Sequence, residues 1–410
     1  MIETKEWPTK TLGELFVFKN GLNKGKEFFG EGSPIINYMD VYKHPAIRRE
    51  HVEGKVTLTK EEINRYRVHK GDVFFTRTSE TPEEVGISAT LLDDISDCSF
   101  SGFVLRARPL TNLLLPEYCA YAFTETGVRR SIITNCSYTT RALTNGRILS
   151  SLSIPIPPVS EQNQIAEALS DVDELIAEMD ELIEKKRDIM SGTMQDLLTA
   201  RRRLPGFSQP WTTETIEEIG KLIRGVGFTP DQSSQNHISD SIPLLRANNI
   251  FNSTLTLTDL IFVNKECVKD FQILESEDIL LCSANGSSRL VGKAAFIPPL
   301  PNYTFGAFMM VLRCYNKAIA KYYFYYMMTS YYRRMISDLL CGSAINNLNS
   351  KQLYTIEINH PSDIEEMKEI ISILSDMDAE IVELEAKRDK YKAIRQGMMQ
   401  QLLTGKIRLI

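Results

Sequence analysis

No window of 18 uninterrupted apolar residues occurs in the 410 residues, so no membrane-spanning helix is expected. The phosphate loop GxxxxGK[ST], a GxGxxG turn after a strand, the HExxH zinc motif and the GxSxG elbow are all missing. Only five histidines occur, His44, His51, His69, His237 and His360, and they lack metal-ligand spacing. The seven cysteines are odd in number and form no CxxC, which excludes the common zinc and redox motifs. The opening MIETKEWPTK has no apolar signal-peptide core. These absences lead to the expectation of a soluble, reduced, cytoplasmic protein without metal or cofactor. Acidic pairs such as Glu83-Glu84 and Asp93-Asp94 sit in turn-like polar stretches, where solvation accounts for them.

A strong basic excess is also missing. The net charge is −6, and the acidity lies in residues 158–204 and 361–410, while 1–157 and 205–360 are nearly neutral. Two neutral modules can present local basic faces, but neither has the charge of a domain that binds nucleic acid unaided. If nucleic acid is the target, partner proteins are expected to supply much of the phosphate binding.

What is present is a duplication. Residues 161–204 and 366–409 align at an offset of 205 with 18 of 44 positions identical, including Leu197-Leu198-Thr199 with Leu402-Leu403-Thr404. In the first copy Ile165, Leu169, Val172, Ile176, Met179 and Ile183 alternate by four and three, which places one narrow stripe along a helix. The second copy reads Ile370, Leu374, Met377, Ile381 and Leu384. Lys186 and Arg388 then fall on the stripe, and the pattern predicts a stutter there. About 40 residues at 1.5 Å each give a rod of roughly 60 Å. Two such rods can bury their stripes only on each other. Pro155, Pro157 and Pro158 precede the first rod, and Ser362 with Glu365 predicts a capping box at the second.

The stretches before the rods repeat as well. Trp7 matches Trp211, Gly21 matches Gly225, and Pro34-Ile35-Ile36 matches Pro243-Leu244-Leu245, each read as a short strand. Asp72-Val73-Phe74-Phe75 and Asp278-Ile279-Leu280-Leu281 are read as strands ending in turns that return at Gly86 and Gly292. The tips between differ completely, residues 77–84 in one and 284–289 in the other. Residues 116–132 and 320–336 are each read as a helix. Its tyrosines, Tyr322, Tyr323, Tyr325 and Tyr326 in the second copy, are expected to pack on a sheet. Arg129-Arg130 and Arg333-Arg334 are either a solvated helix end or a phosphate clamp. Polar stretches at 137–141 and 342–347 precede the last strands.

The order of these parts resembles the DNA-specificity subunit of type I restriction-modification systems, over the whole chain. Residues 154–162, IPIPPVSEQ, before the first rod and 402–409, LLTGKIRL, after the second carry the resemblance, with residues 71–78, GDVFFTRT, as a strand-and-loop block. The second rod opens on INHPSD, without the double proline and the Glu-Gln pair. The expected fold is α+β: two similar mixed α/β target-recognition modules, 1–157 and 205–360, with two long helices, 158–204 and 361–410, forming an antiparallel coiled coil with an internal pseudo-twofold. The resemblance implies a non-catalytic reader of bipartite double-stranded DNA, one half-site per module. It implies two methyltransferase subunits and ATP-dependent restriction subunits as partners, and no membrane.

Arginine reads guanine and asparagine reads adenine in the major groove. The leading base-reading candidates are therefore Arg77 and Arg141 in the first module, with Tyr138 and Thr139 behind them and Thr78 and Ser79 as further DNA-binding candidates. In the second they are Asn285, Arg289, Asn346 and Asn347, with Ser287 and Ser288 as further DNA-binding candidates. Lys24, Lys26, Arg48, Arg224 and Arg246 are candidates for phosphates. A coiled-coil scaffold that binds only proteins, and an enzyme with an unrecognised site, remain open on the residues alone.

Overall fold

The computed structural model describes residues 7–138, 140–341 and 346–409. The chain forms two compact units, Met1–Asp180 with Ala386–Ile410, and Glu181–Glu385. Each unit joins one module to a segment of each long helix.

In the first unit the central sheet runs Phe16–Asn20, Val104–Pro109, Val73–Thr76, Ser88–Leu91, Ala46–Ile47, antiparallel except for the last pair. Its inner strands alternate between two buried faces, as a strand covered on both sides must. Val73, Phe75, Leu105 and Ala107 enter the core under the helices, while Phe74 and Val104 enter a second core with Ile36 and Phe100. A smaller sheet joins Lys55–Val56, Phe29–Ile36 and Ser99–Phe100, and Thr9–Thr11 pairs with Ser153–Pro155.

The second unit repeats this plan. Its central sheet runs Gly220–Arg224, Met309–Cys314, Ile279–Cys282, Ala294–Phe296, all antiparallel. Ile279 and Leu281 enter one core, Leu280 and Cys282 the other. The smaller sheet orders Ser233–Ser234, Ile261–Asn264, Ser241–Leu245 and Thr304–Phe305, and Trp211–Thr215 pairs with Glu357–Pro361. Tyr322, Tyr323, Tyr325 and Tyr326 are buried against these elements, as expected.

Each helix read as continuous is two. The first copy divides into Pro116–Ala122 and Thr126–Asn135, the second into Ala320–Met328 and Ser330–Leu340. The cause is local capping: the Glu125 carboxylate accepts from the N–H groups of Gly127 and Val128, and the Thr329 hydroxyl accepts from Tyr332 N–H.

Two ion pairs recur inside the sheets. Arg108 grips Asp72 through Nε and Nη2 at 2.8 and 2.7 Å, and Arg313 grips Asp278 in the same way at 2.9 and 2.8 Å. Both aspartates are fully enclosed, so the fork geometry of arginine is what makes their burial tolerable.

The rods are helices Val159–Leu198 and Ile364–Leu402. The stripe residues Ile165, Leu169, Ile176, Met179, Ile183, Met190, Met194 and Leu197 are all buried. Within the first unit Asp173 pairs with Arg395 and Asp180 with Arg388 and Lys392. Within the second, Lys186 pairs with Glu380 and Arg187 with Glu385. In the first unit the partner number falls from 395 to 388 as 173 rises to 180, and in the second it falls from Glu385 at Arg187 to Glu366 at Arg203, so the segments run antiparallel in each unit. Asp180–Lys392 and Glu385–Arg187 occupy the same two positions of the duplication. Lys186 and Arg388, the charges that break the stripe, are thus among the groups that pair between rods.

The rod starts are closed by a second repeated contact. Arg408 donates to Glu161 at 2.7 Å, and Trp7 Nε1 donates to the same carboxylate at 3.2 Å. The Arg408 hydrogen bond holds the Glu161 carboxyl below the usual range. In the second unit Arg203 donates from Nε and Nη2 to Glu366, which is wholly buried. Glu366 stands where Glu161 does, so the carboxylate of the Glu-Gln pair is present after all and only the glutamine is replaced, by buried Met367. Gln162 donates to the Leu113 and Pro157 carbonyls and accepts from Leu115 N–H. The capping box is overturned. The helix begins at Ile364, so Asp363 takes the capping place and accepts from Glu365 N–H, while Ser362 donates to the Pro210 carbonyl.

Two glycines at one place mark a close backbone approach. A Cβ on Gly21 would lie 2.1 Å from the Ser101 carbonyl oxygen, and one on Gly225 2.0 Å from that of Gly306. Gly225→Ala is expected to lower stability by about 1–3 kcal/mol through overpacking. Gly227→Ala, with nothing within 4 Å of the added methyl, should stay within about 1 kcal/mol of the parent. Urea midpoints of the two variants check this; equal midpoints would show that the strands can part.

Candidate functional site

In the first unit the strand Val73–Thr76 runs out into a tip that two distant segments support. Thr78–Ser79 pairs with Ala142–Leu143, which pairs in turn with Ser137–Tyr138. The two loops singled out in the sequence thus become one three-stranded patch. Arg77 is fixed through its backbone, its N–H donating to the Phe103 carbonyl and its own carbonyl accepting from Thr144 N–H. Ser79 is buried and donates to Glu84 at 3.0 Å. Tyr138 and Arg141 stand out in solvent, Arg141 lying 4.0 Å from Glu80. Thr78, Ser79, Glu80, Thr81, Glu84, Tyr38 and Arg141 line a groove of about 420 Å³. Tyr42 also donates to Glu84, and this bond raises its hydroxyl pKa. Thr139 lies outside the described residues. Of the phosphate candidates, Lys24 is held by Glu62 at 2.6 Å, Arg48 lies 4.0 Å from Asp93, and Lys26 is exposed.

The second unit brings the corresponding segments together at the same junction. Ala284 bridges Asn347, Asn285 N–H donates to the Asn346 carbonyl, and the Asn346 amide donates to the Gly286 carbonyl. Ser287, Ser288 and Arg289 are exposed beyond this bridge. Arg246 is half-buried and donates to the Asp259 carboxylate at 3.1 Å and to its carbonyl at 2.8 Å, while Asn248 donates to the same carboxylate. Arg246, Asn248, Asn285, Asn346 and Phe308 share a groove of about 1120 Å³. Arg224 is exposed on a strand outside that groove. Residues 342–345 of the polar stretch lie outside the described residues.

The paired arginines resolve into a third role. Arg129 donates to the carbonyls of Glu83, Val85 and Gly86, and Arg333 to those of Arg289 and Val291. Each guanidinium staples the returning limb of a tip to the helix behind it, and burial pushes the Arg129 pKa down. Arg130 and Arg334 are the exposed members. The limb returns through Gly86 at φ +64° and Gly292 at φ +80°, where a Cβ would also strike Ile132 or Ile336.

Sequence reasoning missed Tyr38, Asn248 and the exposed rings of Phe103 and Phe308. The two phenylalanines stand 205 residues apart, so the duplication itself held the signal. Among the described residues no group of three or more His, Cys, Asp or Glu side chains could hold a metal ion, and no helix is long and apolar enough to cross a membrane.

Comparison with known proteins adds the following. Residues 4–185 and 208–391 each match the domain family described as the type I restriction modification DNA specificity domain. The StySPI type I restriction enzyme specificity subunit of Salmonella potsdam is 32% identical over 208 residues, 50% of this chain and 44% of that protein. The EcoKI specificity subunit of Escherichia coli is 32% identical over 197 residues, 48% of this chain and 42% of that one. The chain thus spans under half the length of these two relatives. The crystal structure of the type I restriction-modification S subunit from M. genitalium superposes with a TM-score of 0.58 at 15% identity, covering 98% of this chain and 97% of that one. That likeness concerns the fold.

The stapling role of Arg333 can be checked directly. Arg333→Ala is expected to raise amide hydrogen exchange across Arg289–Gly292 while Arg334→Ala leaves it unchanged, because only the first guanidinium holds the limb. Equal protection in both variants would mean the tip is held by its glycine turn alone.

Proposed function

Because the chain belongs to the family of type I restriction modification DNA specificity domains and carries two of them, we propose that it reads a bipartite double-stranded DNA target, one half-site per module. It does no chemistry itself. Two methyltransferase subunits and ATP-dependent restriction subunits would be directed by it in the cytoplasm. The observation that carries the reading is the contrast between scaffold and tip. Sheets, sheet ion pairs, stapling arginines and glycine turns repeat, whereas the polar residues they present do not. A reader of two different half-sites needs this division.

On this reading Arg77, Thr78, Tyr138, Thr139 and Arg141 face bases of one half-site. Asn285, Ser287, Ser288, Arg289, Asn346 and Asn347 face the other. Ser79 supports its tip through Glu84. Arg246, paired with Asp259 through one nitrogen at the edge of the groove, is assigned to a phosphate. The rods set the unread gap. The first test is selection from random duplexes, with and without a co-purifying methyltransferase; failure to enrich any sequence with the partner present would end the reading.

Two further outcomes follow from the geometry. Arg289→Ala should weaken binding to the selected duplex by about 1–3 kcal/mol and relax preference at one or two positions of the second half-site only. Uniform weakening across all sequences would make Arg289 a phosphate contact. Inserting four residues after Ile176 adds about one turn, roughly 6 Å, and nearly keeps the stripe on its face. Sites selected by that variant should have a longer central gap and unchanged halves; an unchanged gap would show that the rods do not measure distance.

A further inference from the structure

In both units one phenylalanine is held out of the surface at the same place. Phe103 is 67% exposed and Phe308 71%. Their backbones are not slack. Each is the third residue of a four-residue turn: Val104 N–H donates to the Ser101 carbonyl at 3.0 Å, and Met309 N–H to the Gly306 carbonyl at 2.8 Å. The turns hang from neighbouring strands, Ser101 N–H donating to the Ile36 carbonyl and Gly306 N–H to that of Leu245, both at 2.9 Å. The phenylalanine carbonyls hold the starts of the tips. That of Phe103 accepts from Arg77 N–H, that of Phe308 from the N–H groups of Ser283 and Ala284. The main chain is therefore fixed on both sides while the ring is left in water.

A single exposed ring is ordinary. Two at equivalent positions, each beside the loops that differ most between the modules, call for a common role. Phe308 opens onto the groove shared by Arg246, Asn248, Asn285 and Asn346. A side chain that is identical in both modules cannot distinguish one half-site from the other. It can supply only a contact that any sequence offers. The π face of a base is such a contact, since stacking on an aromatic ring tolerates every base, and apolar side chains wedge between base steps in known DNA complexes.

We propose that Phe103 and Phe308 are stacking residues, each pressing its ring against one base step of its half-site and partly unstacking it. This rests on the DNA-reading function above. The contact adds affinity to both halves without adding sequence preference, and it anchors each tip at a fixed depth so that the variable residues meet the same base edges each time.

The test uses the full chain with its co-purifying methyltransferase and the selected duplex, substituted with 2-aminopurine one base at a time. Phe308→Ala should lower affinity about ten- to hundredfold. It should leave the selected sequence unchanged and abolish the fluorescence rise at one step of the second half-site. Phe308→Trp should keep both affinity and rise, and Phe103→Ala should reproduce the loss in the first half-site. Because the ring makes none of the turn's hydrogen bonds, the thermal midpoint of Phe308→Ala should match the parent. A changed base preference at a single position would overturn the proposal in favour of direct reading. Unchanged affinity with unchanged fluorescence would also overturn it. Absence of any selected sequence in the unsubstituted protein would instead bring down the DNA-reading function, and this proposal with it.

Discussion

A helix of about 40 residues with apolar side chains on one side cannot cover that side by itself, and much of this molecule follows from that constraint. Each buried Leu, Ile or Met of the stripe is worth about 1.5–3 kcal/mol relative to exposure, so leaving a rod uncovered is prohibitive. Apolar stripes alone would tolerate sliding by a turn. The charges forbid it: Lys186 and Arg388 sit on the stripe and meet Glu380 and Asp180 only in one register. The enclosed Glu366 forbids it more strongly, since a carboxylate parted from Arg203 in that place would be a buried charge without compensation.

The rods were legible because their period is local and long. Strands Val73–Thr76 and Ile279–Cys282 were legible because a short apolar run after a buried aspartate has few other uses. The sequence marked residues 77–84 and 137–141 only as separate polar stretches, and the strand pairing that joins them left no trace in composition. The helix breaks were missed because they depend on single capping side chains, Glu125 and Thr329, inside otherwise continuous apolar patterns. The role of Arg129 and Arg333 was hidden for a different reason. Each donates to carbonyls more than 40 residues away, and backbone acceptors carry no sequence signal.

The separation of scaffold from tip has a physical basis. Most of what fixes a tip is main chain or comes from outside it: the strand before, the arginine behind, the glycine turn after and the phenylalanine carbonyl alongside, with the Ser79–Glu84 bond as an addition from within the first tip. Side chains on the tip bear little of the folding energy, as the exposure of Ser287, Ser288 and Arg289 shows. Such positions can be exchanged without penalty to the core, which lets one fold present unrelated surfaces.

The division into units also sets an order of assembly during synthesis. The second unit, Glu181–Glu385, is one uninterrupted stretch and has all its parts once residue 385 has left the ribosome. The first unit does not. Its core includes Leu402 and Leu403, and Glu161 and Trp7 meet Arg408 from the far end of the chain. The module made first is therefore the one completed last, and a nascent chain stalled in the second rod would hold one finished module and one whose helix still exposes its apolar side.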